Sequence, residues 1–139
     1  MSFEDCKRKG LIKKYPEANK RIAREFSSAE HFLKSGSKVF KIKEYDLVII
    51  SCYNSCFHFL RACLFKKGFI EKSHYCLIEA LRFLHKEDKI FLDLLNEFDK
   101  IRMSRHEIQY RGIFSDKDEA EYVLDFNERL KKFVLDNFR

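Results

Sequence analysis

YDLVIISCYNSCFHFLRACLFKK, residues 45–67, decides the fold. On a helix of about 3.6 residues per turn its apolar side chains go nearly all the way round, which marks a segment covered on several sides. The β-branched stretch Leu47–Ile50 has strand character when taken alone. The apolar character then runs on to Phe65 without a break, too far for a lone strand, and Gly68 closes it. This segment therefore reads as the central helix of an all-α chain.

Periodic segments flank it on both sides. Upstream, Ile22, Phe26, Ala29, Phe32 and Leu33 recur at helical steps between Asn19 and Ser37, where the SGS at 35–37 is expected to weaken or end the helix. Before that, CKRKGLIKKY is a short basic segment that stops at Pro16. Downstream, Ser73 caps a helix whose inner side is Tyr75, Ile78, Leu81 and Phe83 or Leu84. A fourth long helix runs from Lys86 or Asp88 to Arg111, with Gly112 placed to end it. The last opens at Ser115, with Asp118 three residues on and acids crowding its positive end. It continues through Ala120, Val123, Leu124, Leu130, Phe133, Val134 and Phe138. The expected architecture is an antiparallel bundle of about five helices with short loops, one domain over residues 1–139.

Composition agrees. The chain is 45% hydrophobic and 36% charged, with fifteen Phe, no Trp, four Gly and one Pro, a profile of long helices around a core and not of disorder. MSFEDCKRKG is too polar for a signal peptide, and LVIISCY is too short an apolar run for a membrane span, so a cytoplasmic protein is expected. Five cysteines with no CxxC read as reduced core thiols. Cys52 and Cys56 lie one turn apart, but His58 points away from them and no further ligand follows. Neither a metal nor a cofactor is expected. Net charge is +6 and unevenly placed: residues 1–43 carry twelve Lys/Arg against five Asp/Glu. That excess suits nucleic acid or an acidic protein, and equally a solvated helix surface.

One segment breaks its own pattern. In RMSRHEIQY, residues 102–110, the helix that has laid Phe91, Leu94, Leu95, Phe98 and Ile101 along one face puts polar groups there instead. With Arg102 at 0° on an ideal wheel, Arg105 falls at about 300°, Gln109 at about 340°, His106 at about 40° and Tyr110 at about 80°. Charge on an inner face needs either carboxylates or water. Two readings stay open. One is a salt-bridge network at a bundle end or dimer interface. The other is a basic cleft, in which arginine forks hold phosphate oxygens, His106 holds or donates a proton, and Tyr110 donates a hydrogen bond or stacks on a base. Of the other histidines, His58 reads as a core residue, His74 as the residue after a cap, and His31 and His85 as surface. No paired carboxylates, glycine-rich phosphate loop or nucleophile triad is present.

The chain resembles the HEPN superfamily, particularly the small prokaryotic HEPN proteins, over roughly residues 20–138. AREFSSAEHFLKSGSKVFKIKEYDLVIISCYNSCFHFLRACLFKKGF (23–69), the SHY at 73–75 and RMSRHEIQYRG (102–112) carry the likeness. The resemblance implies an all-helical bundle that dimerises through its signature helices around a shared cleft. Many members are ribonuclease toxins encoded beside an MNT-type nucleotidyltransferase antitoxin; others bind RNA or nucleotides without cutting. The family signature is an arginine, four to six residues, then a histidine, commonly with a polar residue directly after the arginine. Carried over, the arginine is Arg105, the polar follower is His106, and the histidine position holds Tyr110. Gly112 stands where modified members have a tyrosine.

Tyrosine, with a pKa of about 10, cannot shuttle a proton at neutral pH as histidine does. The expectation is therefore a toxin–antitoxin-like partner protein binding RNA or nucleotide phosphate at Arg102, Arg105, His106, Gln109 and Tyr110. The alternative is a metal-independent endoribonuclease in which Arg105, His106 and Tyr110 are catalytic. A third reading is a structural dimer without ligand.

Overall fold

The computed structural model describes residues 1–138 and is built almost wholly of helix. The helices are α1 (Phe3–Arg8), α2 (Ile22–Lys41), α3 (Tyr45–Lys66), α4 (His74–Leu84), α5 (Lys89–Arg111) and α6 (Lys117–Phe138). α2 to α6 are the five expected from the sequence. α1, a 3-10 helix over Pro16–Arg21, and a two-stranded ribbon were not expected. In the ribbon β1 (Ile12–Lys14) pairs antiparallel with β2 (Phe69–Glu71), setting Ile12 opposite Glu71. The strands are three residues each, below the length at which alternation can be read.

α3 is the centre. Val48, Ile49, Cys52, Phe59, Leu60 and Leu64 are fully enclosed, and the core continues into α2, α4, α5 and α6. Its longest apolar run is short, yet the helix as a whole has 22 residues and by length and composition could cross a bilayer. Here the other helices cover its apolar sides instead.

α2 does not end at the SGS stretch but runs to Lys41. A Cβ on Gly36 would stand 2.8 Å from Cys52 Sγ, so the glycine lets α2 lie close on α3. A buried polar link holds the same layer: Ser55 Oγ donates to Ala29 O at 2.7 Å and accepts from Asn127 Nδ2 at 3.0 Å, joining α2, α3 and α6.

The helix ends follow side-chain chemistry. Ser73 accepts from Cys76 N, Asp88 accepts from Phe91 N, and Gly112 ends α5 with φ at 64°. The start of α6 differs from expectation. Asp116, not Ser115, caps it, accepting from Glu119 N at 2.9 Å, while the Ser115 amide donates to Asp46 Oδ1 at 2.6 Å and ties this loop to the start of α3.

The cysteines divide. Cys52, Cys56 and Cys63 are free and buried, as expected, but Cys6 and Cys76 form a disulfide. They are 70 residues apart in sequence, and only the packing of α1 on α4 brings their Cα atoms to 5.9 Å. No spacing rule could have paired them.

Candidate phosphate-binding site on α5

The buried stripe of α5 ends at Ile101. Beyond it the side held against the protein turns. Ile108 packs at the core edge, and Ser104 and Ile108 join Ile113 and Phe114 around a cavity of about 130 Å³. On the ideal wheel Ser104 and Ile108 stand at about 200° and 240°, so the positions near 0° swing outward. Consequently Arg102 and Arg105 are half-buried, whereas His106, Gln109 and Tyr110 are exposed, Tyr110 by 67%. The polar residues thus do not continue the inward stripe as one group; only the two arginines stay near it.

Each arginine has a different environment. Arg102 Nε donates to Asp99 Oδ1 at 2.9 Å, one turn back, and its guanidinium lies 6.0 Å from the Tyr75 ring. Arg105 Cζ lies 4.5 Å over the Tyr53 ring, and one terminal nitrogen donates to Gln109 Oε1 at 3.0 Å. Its Nε is enclosed without a hydrogen-bond partner, and among the described residues no carboxylate lies within ion-pair distance of it. The salt-bridge reading thus accounts for Arg102 and leaves Arg105 over. His106 and Tyr110 form a separate aromatic pair, ring centroids 4.8 Å apart.

Sequence reasoning missed Tyr53, which lies against Arg105, and His74, which is bonded to Tyr53. Tyr53, fully buried on α3, shares a 2.6 Å hydrogen bond with His74 Nδ1 in the first turn of α4. The His74 ring stacks on Phe57 with centroids 4.1 Å apart. Burial first, then the charges of Arg105 and Arg102, lower the His74 pKa from 6.5 to about 4. Its imidazole is neutral at pH 7. Burial likewise raises the pKa of Tyr53. Nothing in sequence links Tyr53 to His74, 21 residues apart on different helices.

Further along α3, His58 and Arg61 are each matched by a carboxylate. His58 Nδ1 bonds Glu25 Oε2 at 2.5 Å, and Arg61 bonds Glu71 Oε1 at 2.8 Å while reaching Glu25 at 3.5 Å. Both carboxylates are buried, and the His58 ring lies parallel to Phe32. His58 is the satisfied core histidine its position suggested. His85, expected at the surface, is half-buried instead, edge-on to Phe91 and Phe138, and burial lowers its pKa. Burial also pushes the Cys52 thiol up to about 12, so it carries no thiolate. Among the described residues no group of His, Cys, Asp and Glu is arranged to hold a metal ion.

A search of curated proteins finds no match. A family profile for the HEPN domain matches residues 23–137, which takes in α3, α4, α5 and nearly all of α2 and α6. With that span matched and the all-helical bundle in place, the chain belongs to the HEPN domain family, a general RNA-related or nuclease-like family.

Proposed function

We propose that this HEPN-domain protein binds the phosphate groups of RNA or of a nucleotide along α5, through Arg102 and Arg105, with Gln109, His106 and Tyr110 at the exposed rim. The observation that carries the reading is Arg105: a half-buried guanidinium beside an aromatic ring, with an unpartnered Nε and no carboxylate in reach. A half-buried cation without an internal counter-charge is stabilised by an external anion, and guanidinium geometry suits phosphate. The excess of basic residues before residue 44 adds long-range attraction.

In this reading the working unit is a homodimer. Met103, Tyr110, Ile113 and Phe114 are exposed around the end of α5, Phe114 by 76%, and such a patch favours being covered by a second copy. The family resemblance adds an MNT-type nucleotidyltransferase as cognate partner in a toxin–antitoxin-like pair.

A second reading, metal-independent endoribonuclease, draws on the exposed contact of His106 with Tyr110, which puts an imidazole within one turn of Arg105. Incubation with mixed cellular RNA in the presence of EDTA, wild type against Arg105→Ala, separates the two. The binding reading expects retardation of RNA without cutting, weakened in Arg105→Ala. Cutting that disappears in Arg105→Ala moves the assignment to a ribonuclease, and absence of both binding and cutting contradicts the proposal.

A further inference from the structure

We propose that His74 is a third ligand of the phosphate held by Arg102 and Arg105, donating a hydrogen bond from Nε2 as a neutral imidazole fixed by Tyr53. This rests on the phosphate-binding reading and extends its site from α5 to the first turn of α4.

The Tyr53 hydroxyl sets the tautomer of His74. Tyr53 is fully buried, and its hydroxyl shares a 2.6 Å hydrogen bond with His74 Nδ1, while the nearby Arg105 has only donors to offer it. Were Nδ1 the donor, the tyrosine proton would be enclosed without an acceptor, a costly arrangement. Tyr53 therefore donates to Nδ1, and the imidazole proton sits on Nε2. Among the described residues that nitrogen has no partner, and it is not one of the enclosed polar atoms, so its N–H is available to a ligand.

Orientation is fixed from two sides. The ring stacks on Phe57 at 4.1 Å and lies 5.8 Å from Tyr53, whose own ring carries the Arg105 guanidinium. Arg102 reaches the adjoining Tyr75. The charged and titratable groups that act on His74 are Arg105 and Arg102 from α5 and Arg61 and His58 from α3, with no carboxylate among them. Arg61 and His58 are already matched by Glu25 and Glu71, and Arg102 by Asp99, which leaves Arg105 as the cation near His74 to meet an anion. The depressed pKa keeps the imidazole a neutral donor, so it adds direction to the site without adding to its charge repulsion.

The test uses full-length protein with isotope-labelled histidine and a short oligouridylate. In wild type, saturation with the RNA is expected to shift the His74 ring signals and move its titration upward from about 4, because a bound anion favours the protonated ring. His74→Gln, checked for an intact fold by circular dichroism, is expected to weaken RNA binding about tenfold, the loss of one hydrogen bond to a charged group. Arg105-dependent binding that leaves the His74 signals and titration unmoved overturns this proposal and spares the site on α5. Wild type that does not bind at all overturns both.

Discussion

Two clusters on one helix, little more than a turn apart, treat their cations in opposite ways. At His58 and Arg61 every positive or protonatable group meets a buried carboxylate, Glu25 or Glu71. At Tyr53 the ring receives Arg105 from α5 and the hydroxyl shares a hydrogen bond with His74, and among the described residues no carboxylate joins them. The first cluster is closed: its charges satisfy one another and hold α2, α3 and β2 together. The second is incomplete within the chain. Burial alone would rank the two alike; the counter-charge is what separates a structural network from a candidate binding site.

The largest effect should come from breaking the closed cluster. Glu25→Ala leaves His58 without its partner and Arg61 with one carboxylate, and is expected to cost about 3–5 kcal/mol in urea unfolding. A loss under about 1 kcal/mol would show this network to be no more structural than a surface ion pair.

The open cluster predicts an acid weakness. His74 has a folded pKa of about 4 against 6.5 when free, so its contribution is complete above pH 6.5 and is lost as pH falls through about 4. The loss attributable to this residue is about 2–3 kcal/mol, and unfolding midpoints measured across that window should flatten in His74→Gln. An unchanged slope would mean that His74 is freely solvated and that the cluster is not packed as described.

Gly36→Ala tests the layer on which both clusters stand. Alanine gains about 1 kcal/mol of helix propensity but meets the buried Cys52 sulfur, and overpacking of about 1–3 kcal/mol should leave a net loss. Adding Cys52→Ala should restore part of it. The smallest effect on stability belongs to Arg105→Ala, a change within about 1 kcal/mol, since only a cation–π contact and one exposed hydrogen bond go. A loss as large as that of Glu25→Ala would collapse the contrast between the clusters.

The sequence carried the fold well where burial is periodic. The all-round apolar pattern of residues 45–67, the cap at Ser73 and the stop at Gly112 all stand in the structure. It failed where long-range packing decides. Gly36 looked like a breaker because its purpose, room for Cys52, lies on another helix. The Cys6–Cys76 bridge and the β1–β2 ribbon depend on segments far apart in the chain. At the site, the wheel located Arg102 and Arg105 but assumed one constant inner face, so it turned Gln109 and His106 too far inward. Tyr53 and His74 were invisible because a hydrogen bond between helices leaves no trace in spacing.

The most direct test of the central claim is RNA affinity of wild type and Arg105→Ala over a range of salt concentrations. If Arg105 is held for an external phosphate, the variant binds more weakly and its log affinity against log salt is shallower by about 1. Equal affinity and equal slope, with the fold intact, would contradict it and make Arg105 a packing residue on Tyr53.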